Sequence, residues 1–148
     1  MSGFLALGLG LLGGCRTDRN WLGAIPADRR GQPDIVRMEV TAYCPCGECC
    51  NWRRNWLGRP VIASGPSEGK RKAVGITASG TEANPGTIAA DPKLYPFGTV
   101  LYVPGYGYGR VEDTGRDIVG KRIDVYFPRH GRAEDWGRQA LEVRVWRP

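Results

Sequence analysis

The run Arg122-Ile123-Asp124-Val125-Tyr126-Phe127 alternates with a period of two: Ile123, Val125 and Phe127 fall on one side, Asp124 and Tyr126 on the other. A half-buried strand reads this way, whereas a helix gathers its apolar residues three and four apart. The same alternation marks residues 35–43, with Val36, Met38, Val40 and Ala42 on one face, and residues 141–146, with Leu141, Val143 and Val145 inward. Shorter apolar or β-branched runs occupy residues 74–77, 87–90, 99–103 and 109–112, stopped in turn by Gly80, Asp91-Pro92, Pro104-Gly105 and a polar turn. The 148 residues include 22 glycines and 11 prolines without a collagen-like period, which suits short elements joined by many turns. About seven short strands with regular turn signals predict an all-β chain folded as a small closed barrel or sandwich. One or two short helices are the most it has room for, the better candidate lying at residues 133–137. No internal repeat is present.

Lys and Arg number 21 against 15 Asp and Glu, giving +6 at pH 7 and a pI near 9.3. That balance favours polyanionic partners: nucleic acid, anionic headgroups or acidic wall polymers. The basic residues are scattered and accompany no recognition motif, so nucleic acid is not expected as a partner. No run of 18 apolar residues is long enough to cross a bilayer as a helix. Residues 4–12 are instead a short apolar run ending in Leu12-Gly13-Gly14-Cys15, which resembles a bacterial lipobox, although no Lys or Arg precedes it. The expected organisation is a lipoprotein-type signal peptide at 1–14, a lipid-anchored tether at 15–34 beginning at an acylated Cys15, and a barrel domain at 35–148. An anchor of that kind puts the domain in the cell envelope, on a membrane facing the periplasm, and on the outer membrane in a Gram-negative cell.

Four of the five cysteines lie in Tyr43-Cys44-Pro45-Cys46-Gly47-Glu48-Cys49-Cys50. An exported domain would use them as two disulfides. Adjacent Cys49 and Cys50 rarely meet disulfide geometry, so Cys44 and Cys46 are expected to pair with them in either combination. A tetrathiolate zinc site and a Cys46-Gly47-Glu48-Cys49 redox pair are the alternatives. The first lacks a second, separated ligand pair and the second lacks a βαβ context. No metal and no cofactor are therefore expected. His130, the single histidine, sits in a Pro/Arg/Gly loop and reads as a surface residue.

Residues 50–72 show no period and read as a long basic loop holding Trp52 and Trp56 among Arg53, Arg54 and Arg59. Indole rings beside guanidinium groups suit sugar faces and acidic polymers; the plainer role is to cover the barrel. Asp91, Asp113 and Asp124 each stand at a strand edge or on a polar strand face. Carboxylates brought to one barrel mouth cannot all ionise cheaply, and a carboxyl kept protonated near neutrality is what a general acid needs.

These segments closely resemble the 3D domain, a family named for three aspartates. The matching pieces are Thr41-Ala42-Tyr43, Gly75-Ile76-Thr77-Ala78-Ser79-Gly80, Ala89-Ala90-Asp91-Pro92, Asp113-Thr114-Gly115 and Ile123-Asp124-Val125-Tyr126-Phe127, with Trp136-Gly137 and Val143-Arg144-Val145 closing the series. The resemblance implies a double-psi β-barrel like the catalytic barrel of membrane-bound lytic transglycosylase A, without room for that enzyme's large second domain. It implies cleavage of peptidoglycan between N-acetylmuramic acid and N-acetylglucosamine, with glycan strands as partner and the protein acting as a monomer. Asp124 takes the acid/base position, Asp113 and Asp91 the supporting ones, and Thr77, Ser79 and Tyr43 line the cleft, with Trp52 and Trp56 as further sugar contacts. One carboxyl suffices when the muramic C6 hydroxyl supplies the nucleophile; water reaching C1 would give hydrolysis instead. A non-catalytic, peptidoglycan-binding lipoprotein on the same barrel is the alternative. An aspartic protease built on Asp113-Thr114-Gly115 and Ile118-Val119-Gly120 fits poorly, because Glu112 stands where an apolar residue is needed.

Overall fold

A ten-residue strand, β1 (Asp34–Tyr43), is the longest of the sheet. It pairs in parallel with β7 (Arg122–Tyr126) and antiparallel with β8 (Gln139–Trp146). The computed structural model describes residues 31–148; the expected signal segment, Cys15 and nearly all of the tether lie outside the described residues. Three further strands, β4 (Thr87–Ala90), β5 (Val100–Val103) and β6 (Gly107–Asp113), complete a closed six-stranded barrel in the order β1-β7-β4-β6-β5-β8. The β4–β6 pair is the second parallel one. Two short helices, α1 (Gly47–Cys50) and α2 (His130–Trp136), sit outside it. The all-β class and the small barrel are as the alternation predicts.

Period-two alternation fills the interior. Met38, Val40, Ile88, Leu101, Val111, Ile123, Val125, Val143 and Val145 are fully buried in one cluster. Each such side chain contributes about 1.5–3 kcal/mol relative to exposure. Their neighbours on the same strands face the other way, which frees Ala89 and Asp124 for a surface cleft. Gly109 marks a close backbone approach within the barrel: a Cβ there would lie 2.6 Å from the Gly86 carbonyl oxygen and 2.7 Å from Ile88 Cδ1. Tyr106 closes one end of the core, packing edge-on to Phe127 and Trp136, while its hydroxyl donates to the Tyr126 carbonyl at 2.9 Å.

Two expectations about elements are corrected. Residues 74–77 form no strand. Gly75 takes φ +78°, and the chain turns back so that the Thr77 amide donates to the Thr81 carbonyl and the Ala83 amide to Gly75, leaving a single bridge between Ile76 and Glu82. Residues 50–72 are not one long loop. They contain a hairpin of β2 (Trp52–Arg54) and β3 (Pro60–Ile62), turned by Asn55, whose side-chain oxygen accepts from the amides of Leu57 and Arg59. Helix α2 takes in the expected residues 133–136 but begins three residues earlier, at His130.

Candidate functional site

Strand register builds a row of residues across the sheet. Asp124 on β7 lies between Thr41 on β1 and Ala89 on β4, and Ala89 pairs onward with Asp113 on β6. Two carboxylates are thereby held two strand spacings apart, about 9–10 Å between backbones, with a methyl group between them. A register shift between Ile88 and Ala89 lets β6 meet β4 at Asp113; bulges commonly re-aim side chains at such places. Tyr43 and Tyr126, paired at the ends of β1 and β7, pack edge to face at 5.4 Å and wall the same space. The resulting cleft has a volume of ≈ 440 Å³ and adds Cys50, Lys72 and Arg116 to these residues.

The two aspartates sit in opposite environments. Asp113 is fully satisfied: Oδ1 accepts from the amides of Ala78 and Thr114, both at 2.9 Å, and Oδ2 from the Tyr43 hydroxyl at 3.1 Å. Asp124 Oδ1 is buried with no hydrogen-bond partner among the described residues. Burial lifts the Asp124 carboxyl from an ordinary 3.8 to about 6; the Thr41 hydroxyl and Arg122 oppose the rise and the Asp113 charge adds to it. A buried carboxyl beside a fixed negative charge holds its proton into the neutral range. Burial, and after it the Asp113 charge, keep the Tyr43 phenol far above its usual range, so it remains a donor. On the cleft wall, burial pushes the Cys50 thiol up to about 11.

The remaining expected site residues are not brought into this cleft. Asp91 accepts from the Lys93 amide through Oδ1 and from the Gly120 amide through Oδ2, both at 3.0 Å, and the Gly120 contact above all holds its carboxyl below the usual range. It braces the 114–120 loop, whose residues 114–118 line the cleft, and is not itself a lining residue. Thr77 and Ser79 join Thr81 in a ring of hydroxyls 2.9–3.2 Å apart, which shapes the turn whose Ala78 amide holds Asp113. Trp52 donates its indole N–H to the Pro45 carbonyl at 2.9 Å, outside the cleft. Trp56 is 90% exposed at the hairpin tip and covers nothing. Sequence reasoning passed over Tyr126, Ala89, Lys72 and Arg116. The alternation that pairs Tyr126 with Asp124 on one face was the available signal for the first.

The cysteines are arranged otherwise than as two disulfides. All four are free thiols, so neither expected disulfide pairing is present. Cys44, Cys46 and Cys49 instead converge on His130, the residue read from sequence as a lone surface histidine. Cys50 stands apart, its thiol donating to the Cys44 carbonyl at 3.2 Å. Cys44, Cys46, Cys49 and His130 are the group able to hold a metal ion among the described residues.

Residues 86–147 match the 3D domain family. The cell wall-binding protein YocH of Bacillus subtilis is 40% identical over 75 residues, a match covering 48% of this chain and 26% of YocH. The putative cell wall shaping protein YabE of the same organism is 39% identical over 75 residues, covering 48% of this chain and 18% of YabE. The chain thus spans about a quarter or less of these relatives. E. coli MltA with bound chitohexaose is a structural neighbour at 22% identity and a TM-score of 0.41, covering 49% of this chain and 28% of MltA.

Proposed function

From the premise that residues 86–147 carry a 3D domain, we propose that this protein acts on peptidoglycan as a lytic transglycosylase with Asp124 as its acid and base. The observation that carries the reading is the buried, unpartnered Oδ1 of Asp124 in a polar cleft, with a carboxyl lifted to about 6. The names of the relatives, one for wall binding and one for wall shaping, support a wall-directed role.

Protonated Asp124 donates to the glycosidic oxygen, and the C1–O bond breaks towards N-acetylglucosamine. Positive charge builds at muramic C1, which fixed negative charge stabilises. Asp113, held by three hydrogen bonds, supplies that charge from across Ala89. The C6 hydroxyl then closes on C1 and returns its proton to Asp124, leaving a 1,6-anhydro end and a regenerated acid. Lys72 and Arg116 on the cleft wall suit the carboxylates of the muramic lactyl group and stem peptide. On the same reading Asp91 acts through the 114–120 loop, and a Cys15 lipid anchor holds the barrel in the envelope beside its substrate.

Incubation of the protein with purified peptidoglycan, read by mass spectrometry beside Asp124→Asn, tests this. Anhydromuramic ends made by the unmodified protein alone are expected. Reducing ends would mean hydrolysis at the same carboxyl. The relatives' naming for binding favours a second reading, a wall-binding module without turnover: both proteins would then sediment with the wall and neither would release product.

A further inference from the structure

We infer that Cys44, Cys46, Cys49 and His130 form a structural zinc site. The distances carry the argument. Cys44 Sγ, Cys46 Sγ and Cys49 Sγ lie 3.6, 3.5 and 3.6 Å from His130 Nδ1, and Cys44 Sγ lies 3.7 Å from Cys49 Sγ. Zinc takes sulfur at about 2.3 Å and nitrogen at about 2.0–2.1 Å, which at tetrahedral angles separates sulfur from sulfur by about 3.8 Å and sulfur from nitrogen by about 3.5–3.6 Å. A disulfide would require a sulfur pair at about 2.0 Å. Four of the six edges thus match those of a zinc tetrahedron, and all four donor atoms lie within 4.8 Å of one another.

The surroundings agree with that assignment. His130 presents Nδ1 to the sulfurs, and its Nε2 lies 3.2 Å from Glu134 Oε1 and 3.6 Å from Glu48 Oε2. A carboxylate on the far ring nitrogen fixes the tautomer a metal ligand needs. The Cys49 amide donates to Cys46 Sγ at 3.4 Å, giving a thiolate part of its compensation. Three sulfurs and one imidazole select zinc over harder divalent ions. Four protein ligands leave no open position, which marks a structural rather than catalytic centre.

The site's place gives it a task. Cys44 directly follows Tyr43 at the end of β1, and His130 opens α2, four residues beyond the end of β7. The ion would tie together the ends of the two parallel strands that carry Tyr43 and Asp124.

The full chain, purified reduced and without chelator, should hold one zinc per molecule by elemental analysis. Cobalt replacement should give the intense visible bands of a tetrahedral thiolate site. Three thiols should become reactive only after chelation. His130→Ala and Cys46→Ser should lose the ion, whereas Cys50→Ser should keep it. Glu134→Gln should keep the stoichiometry but yield zinc to a competing chelator about tenfold more readily. The site is disproved by metal-free protein that takes up no cobalt, by disulfides among these cysteines in the isolated protein, or by a Cys50→Ser loss equal to that of Cys46→Ser. None of these readouts depends on glycan cleavage.

Discussion

Asp124 carries a cost that the fold bears for the sake of the cleft. Its folded value of about 6 lies above the ordinary 3.8, so between those values the folded state keeps a proton that the unfolded chain has released. Stability conferred by this group is therefore present at acid pH and falls as pH rises from about 4 to about 6. Asp124→Asn should raise stability at pH 7 by on the order of 2 kcal/mol and change it little at pH 4, as paired urea titrations would measure. Cleavage by the unmodified protein should decline as pH rises through about 6, because the acid form is the one that donates. Tyr43→Phe removes one of the three donors to Asp113 and should cost about 1–2 kcal/mol in the same titrations. It should also slow the release of glycan fragments about tenfold with the barrel's circular dichroism unchanged.

At the scale of elements, legibility followed periodicity. Strands β1, β7 and β8 were readable because one buried face and one open face leave a two-residue rhythm, whereas β4, buried along its whole length, showed only as a short apolar run. The β2–β3 hairpin was not, because three-residue strands such as Trp52–Arg54 are too short to show one. The turn at residues 75–80 carries apolar residues without being a strand, since Gly75 reverses its direction. Motif order identified Asp91 without giving its orientation, which is set by the distant amide of Gly120. The link from His130 to the cysteines depends on β7 lying beside β1 and so exists only in the folded barrel. Element contacts also set two expectations. Gly109→Ala should destabilise by about 1–3 kcal/mol, seen as a lowered Tm, because the new methyl meets the Gly86 carbonyl and Ile88. Trp56→Ala should leave Tm unchanged, within about 0.5 kcal/mol, given its 90% exposure, yet reduce sedimentation with wall material if the hairpin tip grips glycan.

For the molecule as a whole, the partnership of first and last strands has a mechanical consequence. Asp34 pairs with Val145 and its carboxylate meets Arg147, so the polypeptide enters and leaves the barrel at one pole. Seven residues further along β1, roughly 23 Å at strand rise, Thr41 flanks Asp124 near the other pole. A leash fastened ahead of Asp34 would therefore moor the barrel from behind and leave its cleft pointing outward. Because both ends share that single mooring point, the barrel could be spliced into a longer chain like a bead on a cord without turning its cleft back towards the cord.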